Sequence, residues 1–437
     1  MNIRNPVSHG EVWRLAGPII LSNISVPMVG AVDTAVMGHL DGPHYLGAIA
    51  LGAMVFSFLY WGFGFLRMGT TGFVALDHGR GDRRAIHDTL LRALLLASVL
   101  GAAIIALQLP LDRLAFTLIT ASADTEALAS EYVLIRVYSA PAVLAVYALT
   151  GVLIGMHNTR AALVLQLVLN LTNVALDLLF VPVLGFGIAG AAWASVIAEY
   201  AAAGCGLLLL RRLLLAYSLE RARLLDPAAL SLLLRANLNI FIRTLCLVFS
   251  FAWFTNAGAR LGDAVLAANA VLINFLNVAS YGLDGFAHAV EALGGSARGA
   301  GNLDRFRGAV RRTTQWAFIT GAAVSLAYLL FGEGLVALFS DLPTVRRDAL
   351  EYLPWLVAAP LVSVWSYQLD GIFIGTSRTA EMRNAMIVST LGYLVLVEVF
   401  MQALGNHGLW LALLVFMLLR AATLLAYFPR IVRSFTS

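Results

Sequence analysis

The chain contains no lysine; all 29 of its basic residues are arginines. A P-loop needs a lysine on its nucleotide phosphates, and pyridoxal chemistry needs a Schiff-base lysine, so both are excluded. Cysteine is nearly absent too. Cys205 and Cys246 lie in separate apolar stretches, which leaves neither a disulfide framework nor a cysteine metal site. HExxH and GxSxG patterns are missing, so neither an enzyme nor a cofactor is expected. Charge of either sign is scarce: 12% of the 437 residues are charged against 60% hydrophobic, with a mean hydropathy of +0.83. Soluble domains carry about 25% charged residues. The fold class is therefore an all-α polytopic membrane protein.

A membrane span needs about 20 mostly apolar residues. That ruler gives twelve, near 15–39, 46–76, 90–109, 129–156, 161–183, 186–210, 236–259, 264–294, 313–332, 350–375, 384–403 and 409–429. The first is too long for a signal peptide and precedes no soluble domain. Placing both termini in the cytoplasm puts 20 arginines inside and only Arg113, Arg260, Arg346 and Arg347 outside, as basic-residue sidedness requires. The other five, Arg67, Arg92, Arg136, Arg243 and Arg420, fall within or at the ends of spans.

The chain also repeats itself. A shift of 220 residues aligns LGAIA (46–50) with LAANA (266–270), GRG (79–81) with GAG (299–301), and GVLIG (151–155) with GIFIG (371–375). The expected organisation is a six-helix lobe at 1–210, a cytoplasmic linker at 211–235 and a second six-helix lobe at 236–437. An even number of spans per half makes the two lobes parallel, as in transporters that handle substrate between repeats.

Few as they are, several charges fall inside the spans. Asp33 is the only charged residue from Leu15 through Met37. At the bilayer centre such a carboxylate costs about 3 kcal/mol on insertion scales. The fifth span carries Gln166, Asn170, Asn173 and Asp177 within about 60° of one another, a stripe that must face protein or water. The sixth span adds Ser195 and Glu199. Intramembrane carboxylates mark ion or proton pathways by default. Asp33 and Asp177 are thus candidates to exchange a proton, or with Asn173 and Ser195 to bind a bare monovalent cation such as Na+. Pairing of the carboxylates with Arg67 or Arg136 is the structural alternative. Pro18 and Pro27 remove backbone donors in the first span and permit a bend. The eighth span has its own stripe of Asn274, Asn277, Tyr281, Asp284, His288 and Glu291, and Asp370 follows Tyr367 on the tenth. Asn277, Tyr281, Asp284, His288, Glu291 and Asp370, with Gln166, Asn170 and Glu199, are the candidate substrate-cavity residues.

At these positions the chain resembles the MATE (multidrug and toxic compound extrusion) family, in its DinF-type branch. The resemblance is carried by GPIILSNISVPMVGAVDTAVMGHL (17–40), GRGD (79–82) and NVALDLLFVPVLGFGIAGAAWAS (173–195), and extends over nearly the whole chain. It implies a V-shaped antiporter that exports amphipathic, often cationic compounds against an inward H+ or Na+ gradient. It also implies that Asp33, Asn173 and Asp177 form the coupling constellation, with Ser195 at a hydroxyl position. The NorM-type branch uses a seventh-span glutamate and a tenth-span aspartate. Asp370 matches the latter, but Trp253, Thr255 and Asn256 stand where the acid is wanted. The expected partners are small amphipathic molecules, H+ or Na+, and the bilayer. No nucleic acid is expected, and the chain is expected to act as a monomer.

Two other transporter classes stay open at this level. A lipid-linked oligosaccharide flippase shares the broader fold, and its pyrophosphate cargo would call for Arg67, Arg136 and Arg243 together in a cavity. A major-facilitator transporter also has two parallel six-helix halves, although GRGDRR (79–84) lacks that family's spacing and the fifth-span stripe is left unexplained.

Overall fold

A computed structural model of the protein describes residues 6–38, 43–118 and 121–435. Among these, twelve helices are long and apolar enough to cross a membrane: His9–Met37, His44–Arg80, Arg83–Ala106, Ala123–Gly155, Thr159–Val183, Gly187–Leu209, Arg221–Ala259, Asp263–Gly299, Leu303–Phe339, Pro343–Gly375, Thr379–Leu404 and Asn406–Arg433. Each coincides with an expected span, most of them extended by a turn or more at one or both ends. The expected end of the first span, at residue 39, lies outside the described residues.

The extensions come from polar residues that satisfy the free N–H groups of a helix start. Asp82 accepts from the Ala85 amide at 2.9 Å, and Asn302, its counterpart 220 residues on, accepts from Arg305 at 2.9 Å. Asn158 and Ser122 cap the fifth and fourth spans in the same way. The linker is largely helical rather than extended. Arg211–Leu214 and Arg221–Leu224 are single turns, and a long helix begins at Pro227, where Asp226 accepts from the Ala228 amide.

Backbone geometry carries the 220-residue repeat more sharply than the side chains do. Left-handed residues recur at Gly81 and Gly301, at His157 and Ser377, and at Gly185 and Gly405. His157 and Ser377 have φ of 63° and 51°, a conformation that costs a non-glycine residue roughly 1–2 kcal/mol. Both close the same helix-ending turn: the residue after each donates five positions back, Asn158 to Leu153 and Arg378 to Phe373. Close helix approaches recur too. A methyl group on Gly151 would overlap the Arg67 carbonyl, and one on Gly371 would overlap that of Ala287, its repeat partner. Small residues permit such contacts where lipid supplies no hydrophobic drive between helices.

Contacts divide the chain into an N-terminal unit, Leu21–Leu234, and a C-terminal unit, Met1–Ile20 with Arg235–Ser437. Set against the expected boundaries, the first twenty residues group with the C-terminal half, and the linker groups with the N-terminal unit through Leu234. Val7, Val12, Leu15 and Ala16 are buried against Leu283, Phe286, Ala289 and Leu293 of the eighth span. Glu11 pairs with buried Arg305, and Trp13 packs edge-on against Phe286 and Trp316. The linker, by contrast, docks within the N-terminal unit. Asp88 is gripped by Arg223 at 2.7 Å, Arg84 reaches Glu220 at 2.9 Å, and Arg92 donates to the Arg223 carbonyl at 2.6 Å.

Candidate ion-coupling and substrate sites

The fifth span is inside-out relative to a soluble helix. Leu171 and Leu178 are 66% and 50% exposed, whereas Asn173 and Asp177 are 2% and 1% exposed. The leucines face outward and the amide and carboxyl groups face protein, which a lipid-embedded helix requires. Along this stripe Gln166 donates to Asn170 Oδ1 at 2.9 Å, and Asn170 donates to the Ser25 hydroxyl at 2.7 Å. Asn173 donates to Ser195 Oγ at 3.3 Å. Immediately beyond Asp177 the helix loosens into a π turn, Leu179–Val183, around Pro182. Such turns locally re-aim a helix and recur at functional positions.

Asp33, from the first span, meets this stripe. Its carboxyl lies within hydrogen-bonding reach of the Asp177 carboxyl. Asp33 Oδ1, both Asp177 oxygens and Asn173 Oδ1 are buried and receive no hydrogen bond. Four acceptor oxygens on the first and fifth spans are thus buried without a donor. Leaving one such group unsatisfied typically costs about 1–3 kcal/mol, and more for a charged one. A proton shared between the carboxyls, or a cation held among the oxygens, relieves that cost.

The fourth span contributes residues that the sequence reading did not assemble. Tyr132, Arg136 and Ser139 share one helical face, and Arg136 Nη1 donates to the Tyr132 hydroxyl. The guanidinium lies over the Phe56 ring at 5.1 Å and the Tyr132 ring at 5.5 Å. It is near enough for its charge to act on Asp33, Asp177 and Glu199, yet among the described residues it forms no ion pair. Glu199 Oε2 is buried without a partner, and Tyr60 hydrogen-bonds Ser139 at 3.0 Å. The available signal was the i, i+4, i+7 spacing of 132, 136 and 139, which places them on one stripe.

The C-terminal unit arranges its polar groups differently. Asn277, like Asn274, is exposed, while Tyr281, Asp284 and His288 are half-buried and Glu291 is fully buried. His288 Nδ1 lies 3.4 Å from Glu291 Oε2. Asp284 is close to both Tyr281 and Tyr367. Asp370, expected as a cavity carboxylate, is engaged in ion pairs. It is buried and held by Arg420 Nη2 at 2.7 Å and by Arg243 Nη2. One buried carboxylate is thus shared by two buried guanidiniums. Arg243, required in a cavity for a pyrophosphate cargo, is committed to that pair.

Pro18 and Pro27 both sit inside the continuous helix His9–Met37. Each lacks the N–H that would bond the carbonyl four residues earlier, which weakens the helix at two points. Pro18 falls in the part grouped with the C-terminal unit, and Pro27 in the part grouped with the N-terminal unit.

The polar clusters do not follow the repeat. At 220 residues from Asp33, Arg136, Asp177 and Glu199 stand Trp253, Leu356, Val397 and Leu419. The halves share a backbone plan and have diverged in the groups that carry charge.

Comparison with known proteins supports the same frame. The MatE family model matches twice, over residues 18–179 and 240–400, the two segments that the 220-residue shift superimposes. DNA damage-inducible protein F of Escherichia coli is 43% identical over 97% of this chain and 92% of its own. The Thermotoga maritima protein named probable multidrug resistance protein NorM is 23% identical over 97% of this chain and 92% of its own. A solved structure described as the outward-facing conformation of a multidrug resistance MATE family transporter of the MOP superfamily has a TM-score of 0.88 at 21% identity. It covers 100% of this chain and 98% of its own. With its twelve apolar helices, its duplicated halves and a family model that matches both, the chain belongs to the MATE family of multi-pass membrane transporters.

Proposed function

We propose that this transporter is a secondary active antiporter that exports amphipathic, cationic compounds in exchange for H+ or Na+. Asp33 and Asp177 are its coupling carboxyls, with Asn173 and Ser195 completing their polar wall. One observation carries the reading: the Asp33 and Asp177 carboxyls come together, and four oxygens of Asp33, Asn173 and Asp177 are buried with no donor. A carboxyl pair in such surroundings is poorly tolerated when both groups are charged and bare. Loading a proton or a monovalent cation neutralises it. Emptying it demands new polar partners, and a first helix weakened at Pro18 and Pro27 can bend to supply them. Site charge is thereby converted into helix shape, which is what alternating access needs.

Gln166, Asn170 and Glu199 in the N-terminal unit, and Asn277, Tyr281, Asp284, His288 and Glu291 in the C-terminal unit, are the polar groups assigned to substrate. Acidic and amide groups among apolar walls suit amphipathic cations, matching charge and apolar surface together. Arginine sidedness supports cytoplasmic termini, and the protein is taken to work as a monomer. The test is efflux of a fluorescent lipophilic cation from proteoliposomes, with pH and sodium gradients imposed separately. One gradient should drive efflux, and Asp33→Asn should lower the driven rate at least tenfold at equal reconstituted protein. Undiminished driven efflux in Asp33→Asn would refute the assignment.

A further inference from the structure

We propose that Arg136 is the resident counter-cation of the Asp33–Asp177 pair, moving onto it when the coupling cation leaves and withdrawing toward Glu199 when the cation returns. This inference rests on the coupling role given to that pair above.

The position of Arg136 is unusual for a membrane arginine. It is parked on two aromatic faces, with one hydrogen bond to Tyr132 and Nε donating to nothing. Titratable groups from five spans lie within range of its charge: Asp33 from the first, Tyr60 from the second, Tyr132 from its own, Asp177 from the fifth and Glu199 from the sixth. Tyr147 lies within range of the charges of both Glu199 and Arg67. The acceptors it does not touch are the ones left unsatisfied, namely Asp33 Oδ1, Asp177 Oδ1 and Oδ2, and Glu199 Oε2. A guanidinium presents five N–H donors in a planar fork that fits a carboxylate bidentately. On this proposal side-chain rotation exchanges one carboxyl partner for another, and the aromatic faces hold the charge in between.

The repeat argues in the same direction. Arg136 and the three acids around it are replaced together by Leu356, Trp253, Val397 and Leu419 in the second half. A packing arginine could persist without the acids. A counter-cation has no use once they are gone.

An arginine stays protonated, so Arg136 does not itself carry the exchanged proton. It competes with the proton or cation for the same oxygens, and thereby sets how readily the site loads. It is a positioning residue, and its loss should move the loading point rather than the stoichiometry.

The experiment measures driven efflux of the same lipophilic cation across a pH series in proteoliposomes containing wild-type protein, Arg136→Gln or Arg136→Lys. Thermal unfolding in detergent at pH 6 and pH 8.5 adds Arg136→Gln/Asp33→Asn. Without the competing charge, protons load the pair more easily. Half-maximal efflux in Arg136→Gln should therefore move about one pH unit toward alkaline, a tenfold change in proton concentration, and Arg136→Lys should restore most of it. Arg136→Gln should lose thermal stability mainly at pH 8.5, where the carboxyls lack a neutralising partner, and the double variant should regain it. An unshifted pH profile, or an equal loss at both pH values that Asp33→Asn does not relieve, overturns the proposal. If Arg136→Gln does not fold, the double variant decides: failure to rescue folding also overturns it. Normal coupling in Asp33→Asn alone defeats the parent reading, while the stability comparison still reports whether Arg136 and Asp33 are charge partners.

Discussion

Removing the charge of Asp370 should damage the fold of the C-terminal unit and spare ion coupling. The carboxylate is 5% exposed and bonds two guanidiniums, those of Arg420 and Arg243, which are themselves 2% and 7% exposed. Asp370→Asn keeps the volume but leaves two buried cations facing one neutral amide. Breaking a buried ion pair by deleting one partner costs about 3–5 kcal/mol, and here one deletion strands two charges. In a unit of roughly 200 residues about 1 kcal/mol moves Tm by 2–4 °C, so the expected fall is on the order of 10 °C. The assay is thermal unfolding in detergent followed by tryptophan fluorescence, since Trp253, Trp316, Trp355, Trp365 and Trp410 all report on this unit. Replacing all three partners, Asp370→Leu with Arg243→Met and Arg420→Met, should return Tm to within a few degrees. Apolar substitution of a whole buried ionic set is often neutral or stabilising. Protein that stays folded at low temperature should keep its ion-driven efflux. An Asp370→Asn protein with unchanged Tm and lost driven efflux would refute the reasoning and make Asp370 a coupling group.

Asp33 and Asp370 looked alike in the sequence, each a lone carboxylate in an apolar run. What separates them is partners that lie far off along the chain. Arg243 is 127 residues from Asp370, and Arg420 is 50. No local pattern announces such pairing. The spans themselves were legible because length and apolarity are local properties of a helix. The fifth-span stripe was legible for the same reason, since a polar face on a membrane helix must point at protein wherever the protein is. The grouping of residues 1–20 was not. Val12, Leu15 and Ala16 form an apolar face that reads the same whichever half it packs against, and burial on the eighth span decided the matter. The left-handed turns at His157 and Ser377 were also hidden, because sequence flags such turns by glycine and neither position has one. Arg136 was visible only as a possible partner. Its poise between acids depends on the Phe56 and Tyr132 faces, which one helix alone does not bring together.

Two further outcomes follow from the division of labour between the units. Asp33→Asn and Asp177→Asn should each lower driven efflux at least tenfold, and the double variant should be no worse than about twofold below either, because groups acting as one site are non-additive; fully additive losses would mean separate roles. Single replacements Asp284→Asn, His288→Gln and Glu291→Gln should change which lipophilic cations are exported, or weaken their apparent affinity, while ion-driven efflux persists. The eighth span has no proline, so a charge change on its stripe has no weakened backbone through which to bend the helix, whereas Asp33 shares a helix with Pro18 and Pro27. Its acids also lie near partners of their own, with Glu291 beside His288 and Asp284 near Tyr281 and Tyr367. The measurement is driven efflux of three lipophilic cations of different size for each variant, normalised to reconstituted protein. Loss of all driven efflux in Asp284→Asn or Glu291→Gln, with Asp33→Asn still coupled, would move the coupling site to the C-terminal unit.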